Sequence, residues 1–146
     1  MQLESMYQEL ILDHYRHPHG KGLQPDFGAQ VHHVNPTCGD EITLRVHGDP
    51  SAFTISYENQ GCSISQASAS MMFDLINGKP YEEAIAVADA FLAMMQSQGG
   101  GEPDEDVLED AVAFHGVSKY PARVKCALLG WMAYKDAASA VRAEGA

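Results

Sequence analysis

Three cysteines stand in three unlike settings: Cys38 in Pro36-Thr37-Cys38-Gly39-Asp40, Cys62 in Gly61-Cys62-Ser63-Ile64-Ser65, and Cys126 in Arg123-Val124-Lys125-Cys126-Ala127. With Asp40 they offer four anionic donors, the number a tetrahedral zinc ion takes and enough to hold a small iron–sulfur cluster. No Cys-x-x-Cys pair occurs, which counts against a zinc ribbon, a zinc finger or a thioredoxin-type redox pair. A free cysteine taken alone reads as a small core hydrophobe. The polar company of Asp40, Ser63, Ser65, Arg123 and Lys125 turns the set towards ligation or nucleophilic chemistry. The same donors also suit a zinc staple that holds helix and sheet together in an interaction module without sulfur chemistry.

Donors so far apart in sequence meet only if the fold brings them together. Leu3, Met6, Tyr7, Leu10 and Ile11 recur at helical spacing, and the pattern stops at His17-Pro18-His19-Gly20. Period-two runs follow at Val31 and His33, at Ile42, Leu44 and Val46, and at Phe53, Ile55 and Tyr57, which predicts a three-stranded antiparallel meander. Helical spacing returns through Ala67, Met71, Met72, Leu75 and Ile76 and ends at Asn77-Gly78-Lys79-Pro80. Further helices are expected over Tyr81 to Gln96, in a short piece near Asp104 to Phe114, and in a long segment opened by Pro121. The fold class is α+β, a three-stranded antiparallel sheet with about five helices packed mainly on one face, in a single domain over residues 1–146.

On this scaffold Cys38 and Asp40 flank Gly39 in a strand-to-strand turn, where glycine's left-handed freedom lets both side chains face one point. Cys62 falls between the last strand and a helix, where N-terminal N–H groups attract an anion. Cys126 lies early in the last helix, on a stripe with Leu129, Gly130 and Ala133. Arg123 and Lys125 are candidates to offset the surplus negative charge of four anionic donors around a divalent ion, or are plain solvated cations.

Acidic residues outnumber basic ones 20 to 9, a net charge of −11 that repels phosphate backbones and anionic lipid surfaces. Neither nucleic acid nor a membrane is therefore an expected partner. Met1-Gln2-Leu3-Glu4-Ser5 has neither a basic nor an apolar signal region, and the odd cysteine count suits a reducing compartment, so the cytoplasm is expected. The run Glu102, Asp104, Glu105, Asp106, Glu109 and Asp110 reads as a solvated helix start. His14, His17 and His19 read as surface groups at a helix end, His32 and His33 point to opposite sides of a strand, and Met71, Met72, Met94 and Met95 read as core filler.

Four landmarks in this order resemble the U-type iron–sulfur assembly proteins, the IscU/SufU group, and in particular its SufU branch. They are Leu12-Asp13-His14-Tyr15-Arg16-His17-Pro18, Asn35-Pro36-Thr37-Cys38-Gly39-Asp40, Gly61-Cys62-Ser63-Ile64-Ser65 and Pro121-Ala122-Arg123-Val124-Lys125-Cys126-Ala127. The resemblance implies that Cys38, Asp40, Cys62 and Cys126 hold the metal or cluster, that Cys38 accepts sulfur, and that the partner is a pyridoxal-phosphate cysteine desulfurase of the SufS type. Downstream cluster-assembly proteins are implied as recipients. Lys125 stands where IscU proteins have a histidine before the last cysteine, and an extra segment spans roughly Gly99 to Ser118. Both departures resemble the SufU branch, which implies a zinc-dependent sulfur acceptor, with a cluster scaffold as the alternative.

Overall fold

The computed structural model describes residues 2–145, with side chains from Ser5 to Arg142, so the side chain of Leu3 lies outside the described residues. Helix α1 covers Gln2–Arg16, and the chain then crosses to strands β1 (Ala29–Asn35), β2 (Asp40–His47) and β3 (Thr54–Gln60). Helices α2 (Ser63–Ile76), α3 (Tyr81–Met95) and α4 (Glu105–Leu108) follow. A 3₁₀ helix over Glu109–Lys119 leads into α5, Pro121–Gly145.

The strands form an antiparallel meander in the order β1-β2-β3, with Val31 opposite Leu44 and Leu44 opposite Tyr57. Strict alternation along β2 buries Asp40, Ile42, Leu44 and Val46 on one face and leaves Glu41, Thr43, Arg45 and His47 on the other. Helix α5 lies against β1 and β2, α2 against β3, and α1 against α2, so the helices cover the Ile42–Leu44–Val46 face. The opposite face carries exposed Gln30, His32 and Glu58. The expected α+β architecture, with helices on one side of the sheet, is the one observed.

A polar thread through the core sets α5 against α2. The Trp131 indole N–H donates to Ser68 Oγ at 3.0 Å, and the Ser68 hydroxyl donates to the Ala127 carbonyl at 2.6 Å. Trp131 also stacks on Phe91 with ring centroids 4.4 Å apart, which holds α3 in the same assembly. Because Ala127 follows Cys126 directly, this thread fixes how far the last cysteine reaches towards the sheet. Met71, Met72, Met94 and Met95 are buried in this core, as their spacing predicts.

One element departs from expectation. The short helix expected near Asp104 to Phe114 breaks at Glu109, whose φ is +47°, and continues as a 3₁₀ turn to Lys119. Leu108, Ala111, Phe114 and Val117 recur every third residue, and side chains three apart eclipse in a 3₁₀ helix, so the tighter winding puts them on one buried line. Asp104 caps α4 by accepting the Asp106 N–H at 3.0 Å, and the acids of this run are exposed, as expected for a solvated helix start.

Candidate metal centre

The end of the β1–β2 hairpin carries the first two donors. Asn35 closes β1 and pairs in register with Asp40, the first residue of β2, and the turn between them places Cys38 at its tip. Gly39 adopts φ +72°, the left-handed conformation that the turn requires. Cys38 is half-buried and open to solvent on one side, whereas the Asp40 side chain is fully buried.

Gly61 and Cys62 bring the end of β3 onto the same point. Gly61 has φ +135°, and a Cβ there would stand 2.1 Å from Asp40 Oδ1, so only glycine leaves room for the carboxylate. The Cys62 N–H then donates to Asp40 Oδ1 at 2.8 Å, and Cys62 Sγ lies 3.8 Å from Asp40 Oδ2. Cys62 is the N-cap residue of α2 but makes no capping bond through its sulfur, which stays available.

Cys126, buried in the second turn of α5, completes the group. Its Sγ lies 3.1 Å from Cys38 Sγ, well beyond the roughly 2.05 Å of a disulfide bond. Ligand atoms of Cys38, Asp40 and Cys126 all fall within 4.8 Å of one another. For comparison, sulfurs around a tetrahedral zinc ion sit about 3.8 Å apart, given zinc–sulfur bonds of about 2.3 Å. Three of the four donors singled out in the sequence thus converge, and Cys62 stands at the edge of the group, its Sγ 3.8 Å from Asp40 Oδ2.

The donor set and its surroundings fit a bound cation. Asp40 is a carboxylate removed from water with the Cys62 N–H as its short hydrogen-bond partner, a costly arrangement without a positive charge nearby. Burial, followed by contact with Asp40, Cys38 and Cys62, pushes the Cys126 thiol far above its usual range. A cation among these groups reverses that balance, since a coordinating thiol loses its proton.

Arg123 and Lys125 are exposed on the first turns of α5, and neither makes an ion pair or hydrogen bond with the four donors. The polar group that does reach a sulfur is one the sequence reading passed over. Asn35 Nδ2 points at Cys126 Sγ from 3.8 Å, and its proximity follows from the strand pairing that sets Asn35 opposite Asp40.

A second cluster lies at the other end of α2. His14 is buried rather than a surface group, because the last turn of α1 packs its ring against Ser70, with Nδ1 2.7 Å from Ser70 Oγ. Burial and the neighbouring His19 hold the His14 imidazole below its ordinary pKa. His19 meets Asp74 at 2.7 Å, whereas His17 is exposed, as expected. His32 and His33 do face opposite sides of β1, the latter bonded to Asp136 at 3.0 Å.

Residues 6–127 match the model of the NifU-like N-terminal domain. The chain belongs to this family. It is 46% identical over 134 residues to the zinc-dependent sulfurtransferase SufU of Bacillus subtilis strain 168, covering 90% of this chain and 88% of that one. It is 43% identical over 136 residues to the iron–sulfur cluster assembly scaffold protein IscU of Streptococcus pyogenes serotype M1, covering 92% and 84%. A crystal structure from Fervidobacterium islandicum AW-1, described as an iron–sulfur cluster assembly scaffold protein for the SUF system, superposes with a TM-score of 0.78. That protein is 36% identical, with 89% of this chain and 94% of the other covered. Membership of the IscU/SufU family agrees with the resemblance carried by the four landmarks. Among the described residues, no helix is long and apolar enough to cross a membrane.

Proposed function

We propose that this NifU-like domain accepts sulfur from a cysteine desulfurase for iron–sulfur cluster assembly, with Cys38 as the acceptor and Cys38, Asp40, Cys62 and Cys126 as ligands of one zinc ion. The observation that carries this reading is the difference in access among the four donors. Asp40 and Cys126 are buried, while Cys38 and Cys62 are both half-exposed, Cys38 on the hairpin turn and Cys62 at the start of α2. When bound, zinc would supply the positive charge that keeps the thiols deprotonated.

Cys62 is tied to Asp40 through its backbone N–H, so of the two half-exposed sulfurs Cys38, on its hairpin turn, is the acceptor. Its thiolate attacks the terminal sulfur of a persulfide on the desulfurase, so a new S–S bond forms at Cys38 as the donor's S–S bond breaks. The donor cysteine leaves as a thiolate and the proton of the persulfide travels with the transferred sulfur, which balances the exchange. Cys62 and Asp40, locked together by the Cys62 N–H bond, hold the rest of the site while Cys38 moves. Downstream cluster-assembly proteins would then take the sulfur. The name of the Bacillus relative supports this reading.

The test is persulfide formation with a cysteine desulfurase and cysteine. The wild-type chain is expected to acquire one transferable sulfur and to speed desulfurase turnover, and Cys38→Ala is expected to do neither while remaining folded. Equal stimulation by the variant removes Cys38 as acceptor. A second reading, a scaffold on which a cluster is built, is favoured by the name of the Streptococcus relative. It predicts visible absorption and bound sulfide that survive gel filtration after anaerobic reconstitution with iron. An inert zinc staple predicts no sulfur on the chain at all.

A further inference from the structure

His14 and His19 approach Asp74 on α2 in a way the sulfur chemistry does not use. One ring nitrogen of each histidine and one Asp74 oxygen lie within 4.8 Å of one another. Cys62 caps the start of α2 and Asp74 lies in its last turns, a rise of about 18 Å along the helix axis, so this cluster is separate from the cysteine site.

The cluster is built, not a chance meeting of surface side chains. Ser70 Oγ accepts the His19 backbone N–H at 2.8 Å, and the Tyr57 hydroxyl donates to the His19 carbonyl at 2.7 Å, so the residue is pinned on both sides. Gly20 follows with φ +72°, and a Cβ there would meet the Phe73 ring at 2.2 Å, so the chain hugs α2 at this point. The same Ser70 hydroxyl meets His14 Nδ1 at 2.7 Å, which orients that ring in the way outer partners orient metal-bound imidazoles. The two rings stand 4.6 Å apart by centroid, and the His19 and Asp74 side chains remain 44% and 45% exposed, leaving a path for an ion.

We propose that His14, His19 and Asp74 form a second divalent-metal site, with two imidazole nitrogens and one carboxylate oxygen as ligands and the remaining positions open to water. Two nitrogens and one oxygen suit zinc, cobalt, nickel or iron(II); calcium and magnesium prefer all-oxygen shells. Occupancy replaces the direct His19–Asp74 contact and ties the end of α1 to α2. The proposal does not rest on the sulfur-acceptor reading.

Cobalt(II) titrated into the full-length chain near neutral pH tests it, with bound metal counted by equilibrium dialysis and read by absorption. Two ions per chain are expected: one with intense thiolate-to-cobalt bands in the near ultraviolet, the other adding only weak visible bands. His19→Ala keeps the backbone contacts of that residue, and Asp74→Asn changes an exposed side chain, so both variants should fold. Each is expected to weaken the second ion at least about tenfold while leaving the thiolate bands intact. A single ion in the wild-type chain, or a second ion held at unchanged affinity in either variant, overturns the proposal. Absent thiolate bands would instead contradict the cysteine-centred site, and the two failures are distinguishable.

Discussion

Replacing Gly61 by alanine is the smallest change that should pull the four-donor site apart. The added Cβ would stand 2.1 Å from Asp40 Oδ1, 2.8 Å from its Cα and 2.9 Å from its Cγ, so the clash involves the strand backbone as well as the carboxylate. Relief requires Asp40 to withdraw by more than an ångström, which breaks the 2.8 Å bond from the Cys62 N–H. A lost hydrogen bond to a carboxylate costs about 1.5–3 kcal/mol. Holding alanine at φ +135° costs a further 1–3 kcal/mol or so, and the total comes to about 2.5–6 kcal/mol. Gly39→Ala is the control, since Gly39 has φ +72° with nothing within 4 Å of an added Cβ, and only about 1–2 kcal/mol of backbone strain is expected. Urea denaturation reads the stabilities, and competition with a chromophoric chelator reads zinc affinity, which should fall at least about tenfold in Gly61→Ala. The clash also predicts coupling: truncating Asp40 to alanine should recover part of the Gly61→Ala deficit, so that the double variant is less destabilised than the two single losses combined. A Gly61→Ala chain as stable as Gly39→Ala, with wild-type zinc affinity, refutes the reasoning.

Three further perturbations probe the frame around the site. Ser68→Ala leaves the Trp131 indole N–H and the Ala127 carbonyl without their partner and should cost about 1–3 kcal/mol in urea denaturation; a neutral result would mean the thread does not hold α5. Tyr134→Phe removes a buried hydroxyl with no hydrogen-bond partner among the described residues, whose pKa burial has pushed up to about 12, and should leave stability unchanged or raise it by about 1 kcal/mol; a loss of that size would contradict the hydroxyl's lack of a partner. Stripping zinc with a chelator should lower the thermal midpoint, since a ligand at a thousand times its Kd stabilises by about 4 kcal/mol, and Cys126→Ala should show a much smaller chelator effect.

The sheet was legible because Ile42, Leu44 and Val46 alternate cleanly with polar residues and a single register buries them all. The three cysteines and Asp40 were legible for a different reason. Cys38, Asp40 and Cys62 sit beside Gly39 or Gly61, where backbone geometry rather than packing decides the direction of a side chain, and Cys126 falls on the buried stripe of α5. Asn35 was missed because its role depends on strand register: it meets Cys126 only through the hairpin that sets it opposite Asp40. The buried state of His14 depends on how α1 docks on α2, and helical spacing within α1 alone does not encode that. The 3₁₀ stretch was hidden because Leu108, Ala111 and Phe114 satisfy a helical period over a short window almost as well as a three-residue one.

The central claim is that sulfurs from a hairpin turn, a helix start and the last helix share one ion with a buried carboxylate. X-ray absorption at the zinc edge of the chain loaded with one equivalent of zinc tests it directly. The account predicts three sulfur neighbours at about 2.3 Å and one oxygen at about 2.0–2.2 Å. A shell of nitrogen and oxygen alone, or one holding a single sulfur, contradicts it.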